Sequence, residues 1–426
     1  MRLFQALLAA SVLMFITTTV NCNNKSTVGF ENSRQENMDL EKARLAIASV
    51  DRQLVDLLNE RARMSLDVAA AKRKSTTALL PSGQEKGQQD QGENAPSDVY
   101  VPGQEKKVFN RVMEMNNGPL SDDSVIAIYR EIMSASISLQ SNVSIGYLGP
   151  KGTFTHEAAM KRFGESVAYF PFKTIDDVIE AVVEDKTTYG VIPIENSANG
   201  IVVQTLDALA AHQLPIAENP NIRIKGEIYL PVTQCLMSRY QLSAIHKVYS
   251  HPQALGQSKK WLDTHLPGVP RVDVDSTAKA AELASAEVSA AAVGNKICAT
   301  LYGLELLAEG INTDKENTTR FFVISKAISG DGGGGEPTGD DKSFLMFTVD
   351  HRQPGALIKA LEAFALNNIN MTSMNSRPSG QRKWQYIFFV EIEGHKKDPN
   401  VEKALQMMAP YCLDLLMLGS YPVQKS

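Results

Sequence analysis

Residues 195–200, Glu-Asn-Ser-Ala-Asn-Gly, form a polar turn closed by glycine, set between the apolar run 190–194 and a helix with apolar periodicity. In open α/β sheets, ligands collect at such carboxyl ends of strands. Asn196 and Ser197 lie in this turn. Three other joints have the same character: 149–156 with Thr153 and Thr155, 250–253 with Ser250 ahead of Pro252 and Gln257 one turn on, and 275–277 with Asp-Ser-Thr. Each would start a helix, and a helix start attracts anions through its free N–H groups and its dipole. Ser and Thr there also serve as ordinary caps, and Pro252 is an ordinary first-turn residue. Taken with Asn196, Gln257 and Arg320, the joints point to a dianionic substrate. The sequence has no His/Cys cluster at metal spacing, no dinucleotide fingerprint and no phosphate loop, so neither a metal nor a cofactor is expected.

A second constellation lies near the front. From 40 to 72 there is no Gly or Pro, and Leu40, Ile47, Val50, Leu54, Leu57, Met64 and Val68 make a heptad-like stripe, which predicts one long helix. Arg61 interrupts that stripe, Lys72 falls three turns later on nearly the same face, and Arg44 flanks it. Glu105 shares a face with Val108, Phe109 and Val112, and Ser136 and Gln140 share one with Val125, Tyr129 and Ile132. A lone Arg on such a stripe would be a snorkelling surface residue. Three helices aiming polar groups inward, with cations in excess, predict instead a pocket for an anion.

Short apolar runs alternating with helical patterns across 142–328 predict βα units arranged as two lobes around a cleft. After the Gly-rich, acidic stretch 329–342, which reads as a flexible tether, 343–426 shows strand, helix, strand, strand, helix, strand, a ferredoxin-like order. The expected fold class is therefore multidomain: an all-α bundle at 38–141, a two-lobed α/β domain at 142–328 and an α+β module at 343–426. Residues 75–101, polar and rich in Gln and Gly, read as a disordered insertion in the bundle.

A formal net charge of −5 on 426 residues carries no nucleic-acid footprint, and small molecules are the expected partners. Cys22, Cys235, Cys298 and Cys412 are too scattered for a zinc site or a disulfide scaffold, which suits a reducing compartment. Residues 3–20 are apolar behind Arg2 and resemble a signal peptide within the extension 1–37, while Met38 stands directly before the helical pattern. A cytoplasmic protein is expected, with export through that segment as the alternative.

LEKARLAIASVDRQLVDLLNERARMSLDVAAAK at 40–72, VPGQEKKVFNRV at 101–112 and IYREIMSASISLQ at 128–140 resemble the all-helical chorismate mutases. The resemblance implies an interlocked dimer in which a pericyclic step turns chorismate into prephenate, with charges holding the compact substrate. Carried over by position, Arg61 and a partner-chain Arg44 would hold the carboxylates, with Ser136 on one of them. Lys72 and Gln140 would face the ether oxygen and Glu105 the hydroxyl. Gln104 stands where the family pattern Pro-x-Arg-Glu has a cation.

GPKGTFTHEAA, IPIENSANGIV, SHPQALGQ and NTTRF occur in the order and spacing of prephenate dehydratase. That resemblance implies cofactor-free loss of carbon dioxide and hydroxide from prephenate, giving phenylpyruvate. Thr319 would assist the leaving group and Arg320 would bind a carboxylate. Asn196, Ser197, Ser250, Gln257, Thr153, Thr155 and Phe321 would shape the pocket. Gly355, Ala356 and Leu357 after Pro354, with Ser376, Arg377 and Pro378, resemble the ACT regulatory domain, which implies phenylalanine as an inhibiting effector. Asn375 stands where that family usually has Glu. A homodimer or higher homo-oligomer is expected. The alternatives are a dehydratase whose front bundle only dimerises, or a non-catalytic sensor built on the same cleft.

Overall fold

The computed structural model describes residues 28–78, 102–213, 221–327, 335–380 and 384–424. It divides into two compact units, one ending at Met64 and one running from Ser65 onward. Helix α1 (Val28–Ala78) supplies the described part of the first and continues into the second; it starts well before the expected 40 and runs past 72. Its apolar stripe is bare: Ile47, Val50 and Leu57 are each 61% exposed. Of the expected extension 1–37, only 28–37 is described, and only as backbone. Of the expected insertion 75–101, residues 75–78 continue the helix and 79–101 lie outside the described residues.

The second unit continues with α2 (Pro102–Met115) and α3 (Asp122–Gln140), the latter capped by Ser121, whose side chain accepts from the Ser124 amide. Then come β1 (Ser144–Leu148), α4 (Phe154–Phe163), β2 (Ala168–Phe172), α5 (Ile175–Val183), β3 (Tyr189–Asn196), the short β4 (Gly200–Ile201), α6 (Val203–Gln213) and β5 (Ile222–Pro231). The other lobe holds β6 (Cys235–Ser238), β7 (Lys247–Ser250), α7 (Pro252–His265), β8 (Arg271–Asp273), α8 (Thr277–Ala286), β9 (Ala290–Gly294), α9 (Ile297–Tyr302) and β10 (Glu305–Ala308). Strand β11 (Thr318–Lys326) returns to the first lobe, giving sheet orders β2-β1-β3-β11-β5 and β10-β6-β9-β7-β8. Its run Phe321 to Ile324 is fully buried, which explains its near-continuous apolar sequence.

The C-terminal module comprises β12 (Asp341–Thr348), α10 (Ala356–Leu366), β13 (Met371–Pro378), β14 (Tyr386–Glu393), α11 (Pro399–Met408) and β15 (Asp414–Pro422), in the sheet order β13-β14-β12-β15. Of the stretch read as a tether, 329–334 lie outside the described residues, and β12 already begins at Asp341. Composition suggested a flexible tether before the module. Instead, Ile222, Ile224, Phe322 and Ile324 of the α/β domain share one buried cluster with Phe344, Met346, Ile387, Phe389, Leu416, Leu418 and Tyr421 of the module. At about 2 kcal/mol per fully buried large apolar side chain, that cluster outweighs the loop entropy that favours separation.

The two edge strands β5 and β15 lie against one another, which covers edges that would otherwise invite pairing with other chains. The approach is so close that a Cβ at Gly419 would lie 2.1 Å from the carbonyl oxygen of Ile224. Gly419→Ala is therefore expected to destabilise the chain by about 1–3 kcal/mol, the usual cost of overpacking, and to lower the calorimetric Tm by several degrees. An unchanged Tm would contradict so close a contact.

Candidate active site

Between the two lobes opens a cleft of about 470 Å³, lined by Thr153, Phe154 and Thr155 from the start of α4, His251, Gln253 and Gln257 from α7, and Ser276 and Thr277 from α8. Asn196, Asn199 and Gln204 line its floor, with Thr319, Asn317 and Gln234 beside them. The expected residues Thr153, Thr155, Asn196, Gln257 and Thr319 are thus brought together.

The centre of the cleft is a cross-strand pair. β11 runs antiparallel to β3 and sets Thr319 opposite Asn196. The Asn196 side-chain amide donates to Thr319 Oγ1 at 3.0 Å and to Asn317 Oδ1 at 2.8 Å. Asn196 Oδ1 in turn accepts from the backbone amides of Ala198 and Asn199 at 3.1 and 3.0 Å and from the Asn199 side chain at 2.8 Å. Asn196 is held from every side, so it can fix Thr319. A hydroxyl that accepts from Asn196 keeps its own proton free to donate elsewhere. Gln257 accepts from Gln234 at 3.0 Å, which leaves its own amide hydrogens available.

Charge is supplied by helix ends. Thr153, His251 and Ser276 cap α4, α7 and α8 by accepting from the amides of His156, Gln253 and Lys279, and all three caps line the cleft. No Lys or Arg is among the lining residues, and Asp275 is their one formal charge. An anion placed here would be held by backbone dipoles and amides, each terminus contributing about 0.3–1 kcal/mol or more where water is excluded. In the first turn of α4, buried His156 stacks on Tyr147 at 4.6 Å, and its Nδ1 accepts from the Gly152 amide at 3.3 Å. Burial, with Lys151 adding to it, pushes its pKa down to about 4, so the ring is neutral at pH 7. Among the described residues no group of His, Cys, Asp and Glu could hold a metal ion, and no helix is long and apolar enough to cross a membrane.

Several expected site residues lie elsewhere. Ser250 is fully buried and donates to the Val293 carbonyl, while Ser197 accepts from the Thr318 amide at the rim. Phe321 belongs to the core beneath the sheet. Arg320, expected on a substrate carboxylate, points away from the cleft. It is 7% exposed and binds Glu227 at 2.8 Å and Glu391 of the C-terminal module at 3.1 Å. Strand alternation is the reason, since the neighbour of a cleft-facing Thr319 must face the other way. Burial opposes its charge, yet Tyr421, Glu391 and Glu227 hold its pKa above the ordinary range. The contributions of Asn199, Gln204, Gln234 and Asn317 had no periodic signal in the sequence.

The front constellation is not closed within the second unit. Glu105 is paired with Arg162 of α4, Gln140 donates to Ser65, Ser136 donates to the Ile132 carbonyl at 2.8 Å, and Gln104 is exposed. The Lys72 side chain lies outside the described residues. In the first unit, Arg44 is exposed and pairs with Glu41 at 3.0 Å, and Arg61 is half-buried. In the C-terminal module, Gly355 opens α10 at φ 81°, a conformation that favours glycine, with Ala356 buried and Leu357 half-buried behind it. Asn375 donates to Ser373, Ser376 and Pro378 are exposed, and Arg377 reaches Asp207 of α6 at 2.8 Å.

The prephenate dehydratase family matches residues 145–329, the type II chorismate mutase family matches 43–141, and the ACT domain family matches 336–406. A bifunctional chorismate mutase/prephenate dehydratase of Aquifex aeolicus (strain VF5) is 39% identical over 389 residues, covering 90% of this chain and 98% of the relative. Another from Stutzerimonas stutzeri is 37% identical, covering 90% and 97%. The crystal structure of a prephenate dehydratase from Arthrobacter aurescens in complex with L-Phe is 32% identical and covers 67% of this chain and 92% of its own, at a TM-score of 0.59.

His156 gives a pH signature. The unfolded chain takes up its proton below pH about 6.5 and the folded chain only near 4, so its contribution to stability is complete above 6.5 and is lost as pH falls towards 4. The loss is expected to reach about 3 kcal/mol at roughly 1.4 kcal/mol per pH unit. Denaturant unfolding of the wild type and of His156→Gln from pH 7 to 4.5 should show the steeper decline in the wild type. Parallel curves would contradict the buried neutral ring.

Proposed function

Since this chain belongs to the family of bifunctional chorismate mutase/prephenate dehydratases, we propose that Thr319 assists departure of the prephenate hydroxyl and that Asn196 orients it. In the reaction the ring carboxylate leaves as carbon dioxide, its electron pair enters the ring, and the hydroxyl leaves with one proton as water. Aromatisation drives the step, so the enzyme has to hold the dianion and meet the charge that grows on the departing oxygen. The Thr319 hydroxyl, pinned as an acceptor by Asn196 at 3.0 Å, is free to donate there. That hydrogen-bonded pair, facing a cleft ringed by helix N-termini, is the observation that carries this reading. The helix ends hold the side-chain carboxylate that stays. The carboxylate that leaves gains nothing from such ends and fits beside Leu148, Ile201 and Val232.

The mutase half, residues 38–141, uses Arg44, Arg61, Lys72, Gln104, Glu105, Ser136 and Gln140 on chorismate and works with a second copy of the chain. The exposed stripe of Ile47, Val50, Leu54 and Leu57 supports this, because so long an apolar face on a single helix needs a partner to bury it. The module at 343–426 takes phenylalanine around Gly355, Ala356, Leu357 and the strand Asn375, Ser376, Arg377 and Pro378, the L-Phe complex of the Arthrobacter aurescens protein being the support. Feedback by the amino acid made from phenylpyruvate follows. The described cysteines are free, which suits the cytoplasm.

Thr319→Ala is expected to lower dehydratase kcat by about 10²–10⁴, the range for losing one positioned proton donor, while chorismate turnover by the same preparation is unchanged. Near-normal phenylpyruvate formation would refute the role.

A further inference from the structure

One step along from the Asn196–Thr319 pair, the same two strands set Glu195 opposite Arg320. Alternation turns this second pair to the far face of the sheet, where the C-terminal module is docked. Every nitrogen of the Arg320 fork is engaged there. Nε donates to Glu227 at 2.8 Å, Nη1 to Glu391 at 3.1 Å, and Nη2 to the other oxygen of Glu391. Glu195 stands 4.0 Å away. Lys342 lies 3.4 Å from Glu227 and 3.9 Å from Glu391, Tyr421 donates to Glu391 at 2.7 Å, and the Gln424 amide donates to Glu227 at 2.9 Å. Two cations are thus packed against the buried carboxylates of Glu227 and Glu391, with the more exposed Glu195 at the edge. Such buried clusters add little net stability, because desolvation offsets attraction. The apolar cluster around them suffices to hold the module, so what the charges supply is geometry.

That geometry reaches the effector strand. Thr372 of β13 donates to Glu391 at 2.7 Å, on the oxygen that Arg320 Nη1 also uses. Five residues further along β13, Arg377 binds Asp207, and the first turn of that α6 helix carries Gln204 at the cleft floor. One strand of the module therefore touches the supports of two walls of the cleft.

We propose that Arg320 is a positioning residue for Thr319 and that Glu391 of the C-terminal module completes it, so that β13 acts on the dehydratase through Thr372, Glu391 and Arg320. The inference rests on the reading of Thr319 as the assisting hydroxyl and of the module as a phenylalanine sensor. A guanidinium held at three nitrogens fixes the backbone of residue 320, and with it the direction of the adjoining Thr319. Taking away one carboxylate leaves a buried cation in excess, which must move or draw in water.

The test uses the full chain and steady-state kinetics. Glu391→Gln keeps the shape of the site and removes its charge. It is expected to lower kcat for prephenate about tenfold with KM within about twofold, the pattern of an interaction that matters in the transition state rather than in binding. Chorismate turnover should be unchanged and serves as the control for folding. If that control also falls, Arg320→Lys, which keeps the charge and loses the fork, is judged by the same kcat criterion. Thr372→Val should keep wild-type kcat and bind phenylalanine with a calorimetric Kd within about twofold, yet be inhibited only weakly at phenylalanine concentrations that saturate the site. Wild-type kcat in the variant at Glu391, or in its substitute at Arg320, would overturn the positioning role. Wild-type inhibition of Thr372→Val, or loss of its phenylalanine binding, would overturn the route through β13. A wild-type chain insensitive to phenylalanine would count against the effector reading instead, and the kcat criterion would still decide the positioning role.

Discussion

Side chains on a β-strand alternate, and two adjacent strands that alternate in register give a sheet with two different jobs on its two faces. At the end of β3 and the start of β11 this places Asn196 and Thr319 on the cleft side and Glu195 and Arg320 on the other. The rest of the second unit is arranged around that step. The lobe built on β6 to β10 closes the cleft above the first pair and brings two helix ends to it, α4 bringing the third. The C-terminal module closes over the second pair and supplies its carboxylate. A register shift by one residue would exchange the two faces and place a guanidinium in the cleft and a hydroxyl under the module.

What holds the module and what aligns it are separate interactions. The shared cluster around Phe322, Phe344, Phe389 and Tyr421 buries large side chains almost completely, and at about 2 kcal/mol apiece it is the dominant attraction. The charge cluster beside it costs desolvation for each of its ions and returns that only in one arrangement. It therefore discriminates between dockings more than it drives them. The first unit presents the opposite situation. Its helix carries an apolar stripe that it leaves in water, and Arg44, read there as part of a site, is paired with its neighbour Glu41. A surface of that kind acquires its chemistry from whatever covers it.

Much of this was legible in the sequence, and the failures have identifiable causes. The turn at 195–200 and the helix starts at 153, 251 and 276 could be found because caps and glycine-closed turns are local signals. Thr319 could be named, but not its position opposite Asn196, since the two are 123 residues apart and antiparallel pairing leaves no mark on spacing. Arg320 was assigned to the substrate because its charge suits a dianion and the family resemblance implies that role; only the far face of the sheet shows otherwise. Strand β5 carries Arg223, Lys225 and Glu227 in alternation, and all three are buried, which no local pattern announces. The Gly-rich composition of 329–342 describes a connection, not the strength of the contact beyond it. The ferredoxin-like order, by contrast, is set by short-range patterns and appears as expected.

One polypeptide performs two successive reactions on precursors of an aromatic amino acid. The direct measurement supplies the purified chain with chorismate alone and, separately, with prephenate alone, following chorismate loss and phenylpyruvate formation by absorbance. Phenylpyruvate is expected from both, with prephenate appearing as an intermediate in the first. Phenylpyruvate from neither would contradict that expectation and leave the cleft as a binding site without chemistry.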